Sequence, residues 1–243
     1  MCPKTPKNKY HLELLRELER YKEECYAVER ESKHRYVGSR KKMYGIKIPI
    51  LSRVVKDWVK EHHNMSLKEY IDLLNSLLLF GYSHEEILVA GKLLKFLPQL
   101  RRQIEPTFLK NWLEVVEGWA EVDSICQNIF SAEEMLSKWN KWEKLISRFS
   151  LDMNIHKRRA SLVLLVGPVR QSADERLLQL AFKNIEKLKG EKDILITKAI
   201  SWLLRSLIKN HRKDVESYLS KYRQSLPQIV VRETTKKLLT GKK

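Results

Sequence analysis

A tryptophan four residues before an aspartate is the clearest candidate for chemistry in this sequence. In the stretch 118–125, Trp119 and Asp123 share one face of a helix, about one turn apart. Asp is unfavourable inside a helix and Trp is bulky, so the pair needs a reason. Either the carboxylate is functional, or Trp119 is a core anchor and Asp123 caps the helix. The spacing alone favours the second interpretation.

A second tryptophan lies among cations. Trp202 follows Lys198 by four residues and precedes Arg205 by three, so the three side chains share one helix face. An aromatic ring flanked by cations is typical of a surface that binds nucleic acid. A core tryptophan beside extended cationic side chains fits the pattern equally well. Residues 156–159 place three cations at the start of a helix, where a solvated face is more common than a binding site.

The sequence gives no sign of a metal or nucleotide site. The motifs GxxxxGK[ST], GxGxxG, HExxH and GxSxG do not occur. The adjacent His62 and His63 are more consistent with a helix end, where positive charge is favoured. The cysteines Cys2, Cys25 and Cys126 lack the spacing of a zinc or redox pair and indicate a reducing compartment. We therefore expect neither a metal nor another cofactor.

The elements that must position these residues are predicted to be helices. Apolar residues recur at i, i+3 and i+4 along nearly the whole chain, from residues 12–21 to residues 228–239. No stretch shows sustained period-two alternation. The sequence therefore predicts an all-α fold. The predicted N-caps are Ser66, Ser83 and Ser131.

The predicted helices fall into about six pairs of roughly 35–45 residues, which is the size of a HEAT-like repeat. A curved stack of such antiparallel pairs, a superhelix, presents a concave face. An irregular helical domain is the alternative. We expect one domain over residues 1–243, in which residues 1–34 form an N-terminal capping helix.

The charge indicates a polyanionic partner. The chain has 47 Lys and Arg against 30 Asp and Glu, a formal net charge of +17, and the surplus is concentrated in residues 151–243. Such a surplus indicates nucleic acid first, with a solvated basic surface as the alternative.

Composition bounds the class of protein. With 43% hydrophobic residues the chain is not wholly disordered. Its 8 Gly and 7 Pro are too few for a many-stranded sandwich or barrel. The sequence shows no signal segment and no apolar stretch of membrane-spanning length. We expect a cytoplasmic protein, associated with the nucleoid if the source is a prokaryote, and a monomer.

Several segments, in order along residues 35–239, resemble the DNA alkylation repair family of AlkD-like alkylpurine DNA glycosylases, which are built from HEAT-like repeats. Two departures are Gly118, where the family often has an aromatic residue, and Glu121, which adds a negative charge near Asp123. The segments that carry the resemblance are Arg35-Tyr36, Tyr44-Gly45-Ile46-Lys47-Ile48-Pro49, Trp119-x-x-x-Asp123-Ser124, Arg159-Ala160-Ser161, Lys198-Ala199-Ile200-x-Trp202-x-x-Arg205 and Arg232-Glu233.

The resemblance implies hydrolysis of the N-glycosidic bond of cationic N3- or N7-alkylated purines in duplex DNA, without a metal. Asp123 would stabilise the cationic sugar and orient water, and Trp119 and Trp202 would flank the sugar. Arg159 would hold a phosphate or the geometry of Asp123. The residues that would contact the DNA backbone are Tyr36, Lys47, Lys157, Arg158, Lys198 and Arg205.

Two other classes of function remain open at this point. The first is a DNA-binding helical-repeat protein without catalysis, which would recognise damaged or branched DNA through the same basic face. The second is a helical scaffold for a protein partner, whose charge serves solubility.

Overall fold

The computed structural model describes residues 8–22 and 27–242. Contacts within the chain divide it into two compact units, the first ending at Ile125 and the second beginning at Cys126. Cys2 and Cys25 lie outside the described residues, and Cys126 is buried. The single domain predicted over residues 1–243 stays a prediction.

The first unit is built from helices. The last of them ends at Cys126, which is the first residue of the second unit. They are α1 (Lys9–Glu19), α2 (Ala27–Val37), α3 (Ile48–Glu61), α4 (Leu67–Phe80), α5 (His84–Phe96), α6 (Pro98–Arg101), α7 (Phe108–Trp112) and α8 (Trp119–Cys126).

The second unit is also built from helices. They are α9 (Ala132–Ser137), α10 (Trp139–Phe149), α11 (Ile155–Val166), α12 (Pro168–Gln171), α13 (Glu175–Leu188), α14 (Ile194–Leu207), α15 (Arg212–Tyr222) and α16 (Gln228–Thr240). In this unit α11 packs against α10, α13 and α14, and α14 packs against α16. Packing against the next helix and the next but one is typical of helical repeats.

The all-α prediction is confirmed. The described residues form no strand, and one isolated bridge pairs Lys42 with Ser83. None of the helices in residues 8–22 and 27–242 has the length and hydropathy needed to span a bilayer. The curvature and the concave basic face stay predictions.

The three predicted N-caps are confirmed. Ser66, Ser83 and Ser131 each accept a hydrogen bond from the backbone N–H three residues later. In each case the glutamate at that later position accepts a hydrogen bond from the backbone N–H of the serine. These capping boxes fix the first residues of α4, α5 and α9.

Two segments differ from the prediction. The apolar pattern of residues 135–149 continues through Lys138, where φ −122° and ψ 37° separate α9 from α10. Only one residue separates the two helices, since Lys138 is both the C-cap of α9 and the N-cap of α10. Residues 1–34, predicted as one capping helix, contain α1 and the first part of α2.

Helix α5 is buried on nearly all sides, including its first turn, which consists of His84, Glu85 and Glu86. We call these three residues the α5 polar turn. Charged groups removed from water need partners inside the protein. Glu85 accepts hydrogen bonds from the backbone N–H groups of Tyr44 and Gly45, both at 3.0 Å. The polar turn therefore holds the segment that leads into α3.

Glu86 holds α1 in place. The Nε2 atom of His11 in α1 lies 2.7 Å from the Glu86 carboxylate, and both side chains are fully buried. The same carboxylate accepts hydrogen bonds from the backbone N–H and the hydroxyl of Ser83. Burial alone would raise the pKa of Glu86, but these hydrogen bonds outweigh burial and hold the pKa below its usual value. Packing of α1 thus depends on a buried ionised carboxylate.

Replacing His11 tests this dependence. We expect His11→Ala to lower the free energy of unfolding by about 3 kcal/mol, because Glu86 loses one partner of a buried pair. Urea denaturation followed by circular dichroism measures this change. His63→Ala, at an exposed histidine, should stay within about 0.5 kcal/mol of wild type. Equal effects of the two substitutions would contradict the assignment.

Candidate functional site

Helix α8 begins where two backbone segments touch. The N–H of Val122 donates to the carbonyl of Gly118, so the helix starts directly after this glycine. A Cβ at Gly118 would lie 2.1 Å from the carbonyl oxygen of Val37 and 2.8 Å from the carbonyl carbon of Gly38. A larger residue therefore does not fit at position 118 with the backbone as it stands. This close approach is a physical reason for glycine at position 118.

Trp119 is held by the segment that precedes the same contact. Its indole Nε1–H donates to the carbonyl of Tyr36 at 2.6 Å. The two rings meet edge to face, with centroids 5.5 Å apart and planes at 89°. Tyr36 is 73% exposed and Trp119 is half-buried. Trp119 is therefore not a buried core anchor, and the first unit presents an aromatic pair with one exposed ring and one half-buried ring.

Asp123 lies inside α8, one helical turn after Trp119. Its exposed fraction is 8%, so the residue is nearly covered. As the fifth residue of α8 it does not cap the helix. The structure thus contradicts both parts of the alternative that the spacing favoured.

Glu121 is fully buried and ties α8 to the α5 polar turn. One carboxylate oxygen lies 2.9 Å from Nδ1 of His84, and the other accepts the backbone N–H of Glu117 at 2.9 Å. Lys41 Nζ lies 3.9 Å from the second oxygen. Burial by itself would raise the pKa of Glu121. Hydrogen bonds from His84, Ser39 and the Glu117 backbone, together with Lys41, lower the pKa below its usual value.

A second glycine brings α5 and α8 close together. A Cβ at Gly91 of α5 would lie 2.3 Å from the carbonyl oxygen of Ser124. Three contacts therefore fix α8 within the first unit: the Gly118 approach, the Glu121–His84 pair and the Gly91–Ser124 packing. Each limits how far Asp123 can move.

In the second unit, Arg159 connects the beginnings of two helices. Its side chain is 5% exposed, and Nη1 donates to the carbonyl of Leu195 in α14 at 2.6 Å. Lys157 is also buried, with Nζ 3.7 Å from a carboxylate oxygen of Asp152. Two cations that the sequence placed on a possible binding face are therefore largely covered.

Arg158 makes extensive contacts inside the protein. Nε and Nη2 donate to the two carboxylate oxygens of Glu191, at 2.7 and 3.1 Å. Nη1 donates to the backbone carbonyls of Asp152 and Met153, at 2.9 and 2.8 Å. This bidentate arrangement uses most of the guanidinium donors. It indicates that Arg158 holds the loop before α11.

The face of α14 that bears Trp202 has one exposed cation and one cation that is mostly covered. Lys198 is exposed and Trp202 is half-buried. Arg205 is mostly covered; its Nη2 lies 3.2 Å from a carboxylate oxygen of Glu233 in α16. The same oxygen accepts a hydrogen bond from Ser201 at 2.6 Å. Arg205 thus links α14 to α16.

The structure brings some of the predicted site residues together and separates others. Tyr36 of α2 and Trp119 of α8 touch, and Asp123 lies on α8 with Trp119. Lys47 is exposed at the N-cap of α3. The roles of all ten predicted residues stay predictions. Sequence reasoning missed the Glu121–His84 pair; a signal was available in three consecutive polar residues that begin an otherwise apolar helix. Among the described residues, no group of three His, Cys, Asp or Glu side chains is arranged to hold a metal.

A model of the DNA alkylation repair enzyme family matches residues 14–238. The chain belongs to the DNA alkylation repair enzyme family. Membership gives the protein a role in DNA repair, in agreement with the resemblance seen in the sequence. A predicted DNA alkylation repair enzyme from Enterococcus faecalis has a similar structure, with a TM-score of 0.71. It is 20% identical over 88% of this chain and 95% of that chain, a level that supports a shared fold. No curated protein matches.

Removing the charge of Glu121 should loosen α8. We expect Glu121→Gln to cost about 2 kcal/mol of unfolding free energy at neutral pH, because a buried charge-assisted hydrogen bond is lost. A carboxylate with a lowered pKa stabilises the fold above its usual value of 4.5, and the contribution disappears as the pH falls through the lowered pKa. The difference from wild type should therefore shrink in acid. Urea titrations over a pH series measure it, with Glu61→Gln at an exposed glutamate as control.

Gly118→Ala probes the close approach at the start of α8. The added Cβ meets backbone atoms that cannot move aside cheaply, so we expect a loss of about 1–3 kcal/mol in unfolding free energy. Gly190→Ala is the matched control, because a Cβ there meets nothing within 4 Å. Thermal denaturation compares the two variants. Stability equal to wild type in Gly118→Ala would show that the two segments separate easily.

Proposed function

We propose that this protein is a DNA glycosylase that hydrolyses the N-glycosidic bond of cationic N3- or N7-alkylated purines in duplex DNA. One observation carries the proposal. Asp123 is nearly covered and lies on a helix fixed at three points, one turn from a half-buried tryptophan. Membership in a DNA alkylation repair family supports DNA as the substrate.

The proposed chemistry needs little from the protein. An alkylated purine that carries a positive charge leaves as a neutral base when the bond to C1′ breaks and the bonding electrons depart with the base. The sugar becomes cationic in the transition state. The Asp123 carboxylate opposes that charge and accepts a hydrogen bond from the attacking water, whose proton it takes. Water adds to C1′, and the products are the free base and an abasic site.

The aromatic side chains also stabilise the positive charge that develops on the sugar. The face of Trp119 offers electron density to the cationic sugar, an attraction that is stronger when solvent is excluded. We assign the same role to Trp202 in the second unit. Arg159, whose guanidinium is oriented by the Leu195 carbonyl, is assigned to a phosphate near the lesion or to the geometry of Asp123.

The predicted backbone contacts divide into two groups under this proposal. Tyr36, Lys47 and Lys198 are exposed and suit direct contact with phosphates or sugars. Arg158 and Arg205 are bound to Glu191 and Glu233, so we assign them to holding the loop before α11 and the packing of α14 on α16. Lys157, buried beside Asp152, joins this second group.

Asp123→Asn tests the reaction. The variant keeps the shape of the side chain and loses its charge, so we expect release of methylated purine to fall at least about a hundredfold. Binding to the same duplex should stay near wild type. The measurement is release of free base from methylated duplex DNA in the presence of EDTA, with binding followed by fluorescence anisotropy.

The control is Asp72→Asn, which removes one charge from an exposed position on α4. It should excise like wild type. Thermal denaturation of Asp123→Asn establishes that the variant is folded. No base release by wild type, with salt-sensitive DNA binding intact, would favour the non-catalytic DNA-binding protein. Unchanged release by Asp123→Asn would refute the assignment of the carboxylate.

A further inference from the structure

Three exposed cations gather at the C-terminal end of the second unit. A groove of about 770 Å³ runs along α16 and the turn before it, and Arg223, Arg232 and Lys236 line it. All three side chains are exposed. Within residues 8–22 and 27–242 none of them takes part in an ion pair or a side-chain hydrogen bond. Their full charge is therefore directed to solvent.

These cations contrast with two of those that the sequence singled out. Arg158 is bound bidentately by Glu191, and Arg205 lies against Glu233. A guanidinium already paired with a carboxylate would have to break that pair before it could bind a phosphate. Contacts to a polyanion are therefore expected at cations that have no competing carboxylate, such as the three that line the groove.

The groove itself is free of acidic side chains. The acidic residue of α16, Glu233, binds Ser201 and Arg205 of α14. Its charge is thus compensated within the unit. Among the described lining residues, nothing offsets the three positive charges.

The arrangement of the groove suits a regular polyanion. Arg232 and Lys236 are four residues apart on α16, so their side chains are neighbours along one edge of the helix. Gln228, the first residue of α16, lies at the positive end of the helix and also lines the groove. The lining also includes the apolar side chains Leu226 and Val231, against which deoxyribose can pack.

We infer that this groove binds the phosphate backbone of duplex DNA outside the lesion itself. The inference rests on the proposed function in so far as DNA is the substrate. Cations that replace condensed counterions raise affinity without reading the base sequence. The groove would therefore extend the DNA footprint over undamaged sequence, with Arg223, Arg232 and Lys236 as phosphate ligands.

The test measures how DNA affinity depends on salt. The probe is an undamaged fluorescein-labelled duplex, and its affinity is followed by anisotropy between about 50 and 200 mM salt. We expect the triple variant Arg223→Gln, Arg232→Gln, Lys236→Gln to reduce the slope of log affinity against log salt by about 2–3, close to one for each lost phosphate contact. Arg223→Lys combined with Arg232→Lys should keep most of the slope, because the charge remains.

The control removes the same charge from other helices. Lys144→Gln, Arg148→Gln and Lys213→Gln lie at exposed positions on α10 and α15. This control variant should keep a slope close to that of wild type. An equal loss of slope in both triple variants would overturn the inference, because net charge alone would then explain the binding.

A second arm separates DNA from an acidic protein segment. A fluorescein-labelled peptide of alternating Glu and Leu is titrated against wild type and the groove variant. A peptide that binds wild type alone, with an unchanged DNA slope in the variant, would overturn the inference and assign the groove to an acidic peptide. Because the DNA probe is undamaged, the result does not depend on excision. A wild type that releases no base can still show the groove contact, so the two proposals fail separately.

Discussion

The first unit depends on the electrostatic satisfaction of one helical turn. His84, Glu85 and Glu86 begin a helix that is buried on nearly all sides. An unpartnered charge at such a position costs several kcal/mol, so each side chain requires a partner from elsewhere in the chain. Glu86 pairs with His11 of α1, Glu85 binds the turn before α3, and His84 meets Glu121 of α8. One short segment thus couples the positions of three others.

Sterics complete what electrostatics begins at α8. Gly118 and Gly91 each allow backbone from another segment to approach closer than any side chain would permit. The Glu121–His84 hydrogen bond limits rotation of α8, and the two glycine contacts limit its displacement. Because Asp123 lies on α8, these contacts also fix the position of Asp123. The residue proposed for chemistry is thus located by groups that take no part in it.

Much of the helical framework could be predicted from sequence, because apolar period and capping residues are local signals. Ser66, Ser83 and Ser131 are N-caps, as the sequence predicts. The break at Lys138 could not be predicted, since the apolar pattern runs through it. The pairing of cations with carboxylates was the least predictable feature. Sequence shows that Arg158 is a cation, but its partner Glu191 lies 33 residues away, and only the fold brings them together.

The hydrogen bond from Trp119 to the Tyr36 carbonyl has a consequence for selectivity. An indole ring has one polar hydrogen, and here it is already used. A bound molecule therefore meets this side chain through carbon atoms of the ring. Such a surface responds to the charge and thickness of what lies against it and ignores the pattern of donors and acceptors that distinguishes adenine from guanine. Under the proposed function, Trp119 would respond to the positive charge of the substrate and would not distinguish one purine from another.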